Sequence, residues 1–309
     1  MRLYRNFPAL RIGRGPVRRV ATIGVFDGLH AGHGEILART TAAAAARDWP
    51  SVVCSFEPMP TEFFAPSNPP ARLTCFRERF DLLAAAAIDE FFCPHFGMIR
   101  NLTPDQFIKA LLVDGLNVAH VVVGHDFRFG FGRTGTHEDL HRAGRKFGFG
   151  VTTVEPVCWR DQRISSTAIR DALKRGDLGT AKSMLGRDYS MSGRVVPGIG
   201  LGRKLGFPTA NVNLKRRLAP VDGIFAVRVD GIADEPLDGV ASVGNRPMVG
   251  GGKTLLEVFI FDFDRKIYGR YITVNFVKRL REERTFEDMD AMTRQMRLDV
   301  RDARAALAS

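Results

Sequence analysis

Cysteine is scarce: the 309 residues hold four, Cys54, Cys75, Cys93 and Cys158. They form no C-x-x-C pair and no disulfide spacing, which argues against a stapled secreted scaffold and gives a reducing cytoplasm as the expected location. No apolar run approaches the roughly 20 residues of a membrane span. Met1-Arg2-Leu3-Tyr4-Arg5 has no signal-peptide core, so no membrane partner is expected. Internal repeats and low-complexity tracts are also lacking, which excludes solenoids and disordered tails. The formal net charge is +11, yet the excess is spread over both halves of the chain with no basic arm or stripe. Such spreading suits several small anionic ligands and gives no expectation of a nucleic-acid partner. It leaves room for a weak homo-oligomer.

What is present is an alternation of strand-like and helix-like segments. Val20–Phe26, Ser51–Phe56, Glu90–Phe96, Ala119–Gly124 and Gly150–Val157 read as strands. Gly34–Arg47, Arg77–Ala87, Thr103–Leu112, His137–Phe147 and Ser166–Arg175 read as helices. The alternation predicts an α/β parallel sheet, whose ligands sit beyond the carboxyl ends of the strands. After Gly186 the texture changes to short strand-like runs separated by Gly/Pro turns, which predicts an antiparallel β-barrel. An amphipathic helix, Phe286–Leu307, closes the chain. A division into residues 1–186 and 187–309 follows.

Three strings carry the chemistry of the first part. Gly24-Val25-Phe26-Asp27-Gly28-Leu29-His30-Ala31-Gly32-His33 runs from a strand into a helix start, where free N–H groups and partial positive charge attract phosphate. His30 and His33, three apart, share a helix face. Val121–Gly130 carries Gly124, Asp126 and Arg128 out of another strand. Ser165-Ser166-Thr167-Ala168-Ile169-Arg170 is a hydroxyl-rich helix start, although Ser and Thr are also ordinary caps. A helix terminus supplies roughly 0.3–2 kcal/mol, against the 8 kcal/mol or more that enzymatic acceleration demands. Side chains must therefore supply the rest of any acceleration at such a site. In the second part, Gly198–Asn211 ends in Pro208-Thr209-Ala210-Asn211. A hydroxyl beside an amide offers oxygens to Mg²⁺ and donors to phosphate.

Three other strings read as coincidences. His137-Glu138-Asp139-Leu140-His141 fits the zinc-protease pattern, but Phe147 stands at the third-ligand position of the extended form. Gly130–Gly135 fits G-x-G-x-x-G, but Asp126–Phe129 separate it from the strand. Gly252-Lys253-Thr254 resembles a P-loop end, but Pro247 replaces its first glycine and a strand follows.

Together, in this order, the strings resemble the bacterial bifunctional riboflavin kinase/FAD synthetase family. The resemblance covers residues 20–186 through G-x-F-D-G-x-H-x-G-H, F-x-P, R-L-T, V-V-G-x-D-F-R-F-G and S-S-T-x-I-R. It continues through G-R-x-L-G-F-P-T-A-N and Leu256–Asp264 to Leu280–Phe286. It implies an H-x-G-H superfamily nucleotidyltransferase sheet followed by a kinase barrel, with riboflavin, FMN, FAD and ATP as substrates and products and Mg²⁺ as cofactor. His30 and His33 would be catalytic in adenylyl transfer. Gly24, Phe26, Asp27, Gly28, Gly124, Asp126, Arg128, Ser165, Ser166, Thr167 and Arg170 would bind ATP and phosphate. In the barrel, Glu257 would be the base on the ribityl hydroxyl. Gly202, Arg203, Gly206, Pro208, Thr209, Asn211 and Arg281 would bind ATP and flavin, with Thr209 and Asn211 on Mg²⁺. Departures from the family pattern stand at Met59, usually His, and at Ser242 and Met248, where Asn and Thr are commoner. They keep open an alternative in which one domain is impaired, leaving an FMN-producing kinase or a flavin or nucleotide sensor. An RNA-linked reading lacks the K-M-S-K-S-like loop of the tRNA-charging members of the superfamily.

Overall fold

The computed structural model describes residues 1–6, 17–198, 200–246 and 253–308. Ile199, Pro247, Met248 and Gly252 lie outside the described residues. The chain divides into two compact units, Met1–Pro70 with Arg79–Ile164, and Ala71–Glu78 with Ser165–Ser309.

The first unit is built on a six-stranded sheet: β1 (Arg2–Tyr4), β2 (Arg19–Ile23), β3 (Ser51–Cys54), β4 (Glu90–Phe92), β5 (Val118–Gly124) and β6 (Gly150–Val154). Their spatial order is β1-β4-β3-β2-β5-β6, and every pairing is parallel. Parallel strands are buried on both faces, and β2, β3 and β4 are buried throughout. Alternate residues serve opposite cores. Val20, Val122 and Val154 pack with Ala44 and Ile36 of helix α1 (Ala31–Ala45). Ala21, Ile23, Val121 and Val123 pack on the other face with Phe107, Leu111 and Leu112. From β2 the chain lays β3 and β4 on one side and then returns to place β5 on the other. The connection reverses direction between β2 and β5, which makes the carboxyl ends of those strands the crevice where ligands bind in open α/β sheets.

Local chemistry sets the remaining helices. After α2 (Pro60–Phe64) and α3 (Phe76–Ala85), Thr103 and Gln106 form a reciprocal cap on α4 (Pro104–Phe107). That helix continues as a π-turn over Ile108–Val113. Thr136 and Asp139 likewise cap α5 (His137–Phe147). A small hairpin, β7 (Cys158–Trp159) with β8 (Gln162–Arg163), ends the unit.

The second unit starts with α6 (Ser166–Lys174) and α7 (Leu178–Leu185). Then come β9 (Ser190–Val196), α8 (Leu201–Lys204), β10 (Thr209–Asn213), β11 (Gly223–Asp230), β12 (Leu237–Arg246), β13 (Lys253–Ile260) and β14 (Tyr271–Arg281). The strands close into an antiparallel barrel in the order β10-β13-β12-β11-β14-β9. Helix α9 (Met289–Leu307), capped by Asp288, lays Ala303 and Leu307 against Ala226 and Phe261. The barrel and closing helix match the expected architecture. β10 was not expected as a strand, because its residues read first as a ligand motif.

The strap Ala71–Glu78 packs with the barrel although it comes from the first part of the sequence. Its anchor is Arg216, whose guanidinium is fully buried and forks onto Glu78 at 2.5 and 2.7 Å. Arg216 also donates to the Tyr189 hydroxyl at 3.0 Å and the Arg72 carbonyl at 3.2 Å. Glu78 in turn accepts from the Ser192 and Cys75 amides, both at 2.6 Å. Both charges are thus paired and hydrogen-bonded. Removing one of them strands the other in the core. Arg216→Met is expected to destabilise this unit by about 3–5 kcal/mol, and Arg216→Met/Glu78→Gln by much less. Urea unfolding followed by amide exchange in β9 and β10 checks the difference.

Candidate functional site

The H-x-G-H string occupies the crevice between the carboxyl ends of β2 and β5. The loop from Gly24 to His30 is tightly wound: Phe26 has φ 53°, Gly28 φ 83° and Leu29 φ 39°. Two of these are not glycine, and such conformations persist only where surroundings impose them, commonly at functional sites. Phe26 and Asp27 are almost fully buried. A side chain at Gly24 would meet the Phe26 ring at 3.0 Å.

His30 is the N-cap of α1, and its Nδ1 accepts from the His33 amide at 3.3 Å. An acceptor Nδ1 places the ring proton of a neutral imidazole on Nε2, as a donor. The His30 and His33 rings stack with centroids 3.7 Å apart, and Phe26 lies 5.0 Å from His33. Gly32 keeps this stack possible, since a Cβ there would stand 3.2 Å from His30 Nδ1. Burial, followed by the proximity of His30, holds the His33 pKa well below the usual histidine value. Its Nδ1 is buried without a hydrogen-bond partner. At neutral pH His33 is therefore an uncharged imidazole.

Across the crevice, Gly124 ends β5, and a side chain there would stand 3.3 Å from Asp126 and 3.6 Å from Ile36 of α1. Asp126 is gripped by Arg163 at 2.5 Å. Burial opposes the charged carboxylate, but the Arg163 hydrogen bond and charge outweigh it and lower the Asp126 pKa. Arg128 is exposed. Ser165, Ser166, Thr167 and Arg170 open α6, in the other compact unit. Ser165 caps that helix by accepting from the Ala168 amide at 3.2 Å, and Arg170 Nε donates to the Ala71 carbonyl at 2.7 Å. Met59 is 2 % exposed and packs as a core residue, its amide donating to Glu62.

The second site is a cavity of about 770 Å³ on the outer face of the barrel, roofed by residues 283–286 and α9. Strand register builds its floor. Asn211 of β10, Glu257 of β13 and Ser242 of β12 stand side by side in one row, and Thr209 shares the face of Asn211 two residues away. All four line the cavity. The even-numbered neighbours Leu256 and Val258 are fully buried, while Glu257 is half-buried on the opposite face. Gly198 and Gly202 form a cradle around the two motif side chains. A Cβ at Gly198 would overlap the Asn211 amide at 2.2 Å, and one at Gly202 would stand 2.4 Å from the Phe207 carbonyl and 3.3 Å from Thr209 Oγ1. Hydroxyl, amide and carboxylate oxygens on one wall fit a hard divalent cation with phosphates.

The cavity therefore gathers Gly202, Thr209, Asn211, Glu257 and Arg281. Arg203, Gly206 and Pro208 are exposed and outside its lining. Arg281 forks onto Asp299 of α9 at 2.7 and 2.8 Å, and Gln295 donates to the same carboxylate at 2.9 Å. Ser242 Oγ donates to Glu283 at 3.1 Å, which ties the roof to the floor. The sequence reading missed Asp299 and Gln295. Their spacing, four residues apart on the face of α9 that packs against the barrel, is the signal that could have found them.

The coincidental strings have structural explanations. His137 and His141 lie on α5, and no group of three His, Cys, Asp or Glu side chains placed to hold a metal ion assembles among the described residues. Gly130 is required because a Cβ would stand 2.8 Å from the backbone of Pro104. Lys253–Ile260 is a strand, as expected for the run after Gly252.

A nucleotide-binding parallel sheet and a barrel with a cradled Thr-x-Asn wall define a two-site phosphate-handling protein. The sequence comparisons narrow that class. Residues 15–168 match the FAD synthetase family and residues 185–307 the riboflavin kinase family. The chain is 44% identical to the bifunctional riboflavin kinase/FMN adenylyltransferase of Escherichia coli (strain K12) over 92% of its length and 91% of the relative. It is 43% identical to the Pseudomonas fluorescens protein of the same name over 100% and 98%. A crystal structure described as a macrolide-efflux protein from Streptococcus pneumoniae superposes with TM-score 0.80 at 31% identity, covering 98% of each chain. No helix among the described residues is long and apolar enough to cross a membrane. The chain belongs to the bifunctional riboflavin kinase/FMN adenylyltransferase family.

The low pKa of His33 has a measurable consequence. The unfolded chain takes up a proton at this residue as pH falls through about 6.5, whereas the folded one resists until lower pH. Stability of the sheet unit therefore drops as pH falls below about 6.5, and His33→Gln is expected to flatten part of that slope. Imidazole NMR shifts of His33 are expected to stay at their neutral values from about pH 8 down to about 6.5.

Proposed function

We propose that the chain makes FAD from riboflavin in two transfers at phosphorus, a phosphoryl and then an adenylyl transfer, one in each part of the sequence. The observation that carries this reading is the strand register that sets Glu257 beside Asn211 and Thr209 on one cavity wall. In residues 187–309, the Glu257 carboxylate takes the proton of the riboflavin 5′-hydroxyl. The oxygen then attacks the γ-phosphorus of ATP in line, and ADP leaves. Thr209 and Asn211 would hold Mg²⁺, which neutralises phosphate charge in such transfers. Gly202 leaves room for the phosphates, and the Arg281–Asp299 pair fixes the roof that excludes water.

In residues 1–186, a phosphate oxygen of FMN attacks the α-phosphorus of a second ATP and pyrophosphate leaves. His30 and His33 hydrogen-bond the phosphates, His33 as a neutral imidazole in keeping with its low pKa. Gly24, Phe26, Asp27, Gly28 and Gly124 shape the crevice. Asp126 orients the loop through Arg163, and Arg128 adds a cation beside it. Ser165, Ser166, Thr167 and Arg170, at the start of α6, are the remaining proposed phosphate-binding residues. The two family matches support the division into residues 1–186 and 187–309. The proposal includes a cytoplasmic location, flavins and ATP as the partners in place of nucleic acid, and at most weak self-association.

A second reading, an FMN-producing kinase with little FAD synthesis, draws on Met59, which is buried and has no charge to offer a phosphate. Chromatography after incubation with riboflavin, ATP and Mg²⁺ separates the two: both FMN and FAD are expected, and FMN alone selects the second reading. His33→Ala is expected to abolish FAD formation and spare FMN formation. Glu257→Gln is expected to lower riboflavin phosphorylation by at least about 100-fold and to spare FAD formation from supplied FMN. Loss of both activities in either folded variant would refute this division of labour.

A further inference from the structure

Neither activity as described uses Arg79, yet its guanidinium is completely buried. It projects from α3 to the carboxyl ends of β2 and β3. Nη1 donates to the Val25 carbonyl at 3.0 Å and to Ser55 Oγ at 3.3 Å. Nη2 donates to Glu57 Oε2 at 2.9 Å and reaches Cys93 Sγ at 3.9 Å. Ser55 Oγ also donates to the Val25 carbonyl, at 3.0 Å.

These partners are not scattered through the core. Val25 is the last residue before the wound loop of Phe26, Gly28 and Leu29 that presents His30. Glu57 is followed by Pro58 and Met59, the turn that departs from the family pattern. One planar fork therefore grips the roots of both loops. Only a guanidinium offers donors far enough apart to do this, since a lysine ammonium is a single point.

We propose that Arg79 is a positioning residue for adenylyl transfer, locking the loop rooted at Val25 and the turn rooted at Glu57 into the geometry the reaction needs. The proposal rests on the reading of the His30/His33 crevice as the adenylyl-transfer site. Misplacement of reacting groups by about 1 Å costs on the order of 100-fold in rate, so a large kinetic effect is expected without any contact to substrate.

The test uses the full chain with Arg79→Met, Arg79→Lys, Arg79→Met/Glu57→Gln and His33→Ala. Each is assayed for FAD formation from FMN and ATP, for FMN formation from riboflavin, and for thermal unfolding. Arg79→Met is expected to lower kcat for FAD formation by about 10–100-fold and to leave FMN formation within about 2-fold, below experimental scatter on that scale. Arg79→Lys is expected to restore part of the rate. The double variant removes both buried charges, so it is expected to recover thermal stability but not kcat. Recovery of both in the double variant overturns the proposal, because the arginine would then serve only stability. So does an equal fall in both activities, or an unchanged kcat in folded Arg79→Met. If both methionine variants fail to fold, Arg79→Lys decides: it keeps the buried charge and loses the fork, so an unchanged kcat overturns the proposal and a fall confined to FAD formation supports it. Should His33→Ala retain FAD formation, the crevice reading itself fails. If His33→Ala is inactive while Arg79→Met is not, the positioning role alone fails.

Discussion

Where the chain leaves β2 at Val25, and along the strap at Ala71 and Arg72, backbone carbonyls have no ladder partner, and a buried carbonyl must find a donor elsewhere. Apolar packing cannot supply one. Arginine does it here. Arg79 satisfies Val25, Arg170 satisfies Ala71, and Arg216 satisfies Arg72. Each long side chain delivers several donors to a place no strand reaches. Two of them, Arg79 and Arg216, bury a full charge and are matched by Glu57 and Glu78. Buried pairs of this kind contribute little net stability, but losing one partner is severe. Their value lies in fixing one geometry for segments that would otherwise have several.

The same requirement sets what could be read from the sequence. Strands buried on both faces announce themselves as apolar runs, and β2, β3 and β5 are found within a few residues of their observed bounds. The barrel strands alternate and are found as well. The short Arg2–Tyr4 strand is too brief to show a period. β10 was hidden because Thr209 and Asn211 were read for their oxygens, when their spacing of two is equally that of a strand face. The candidate site residues that lie in Gly-rich turns were legible, because turn chemistry leaves a signature. Arg79 and Glu78 were not. In sequence they look like the polar face of an ordinary amphipathic helix, and only tertiary packing shows that both point inward. Asp299 was obscured in the same way, by the charged surface of α9 around it.

Glycine has a different part at each site. In the sheet unit, Gly32 clears space for the His30 ring, and Gly28 turns the backbone through a left-handed conformation. In the barrel unit, Gly198 and Gly202 are voids around Asn211 and Thr209. Substituting either would push the motif side chains out of the row that contains Glu257. Glycine in these strings is therefore held by close contacts as well as by turn geometry.

The two sites differ in one respect that follows from the nucleophiles. A ribityl hydroxyl holds its proton firmly at neutral pH and attacks phosphorus only if a base removes that proton as the bond forms. In the proposed kinase reaction the Glu257 carboxylate on the cavity wall serves this purpose. An FMN phosphate has already lost most of its second proton at pH 7, since that pKa is about 6, and it needs no base. Its difficulty is repulsion between two polyanions. A further carboxylate facing the crevice would worsen that repulsion. The crevice accordingly offers imidazoles and a helix N-terminus, and the exposed carboxylate nearest the end of β5, Asp126, is neutralised by Arg163.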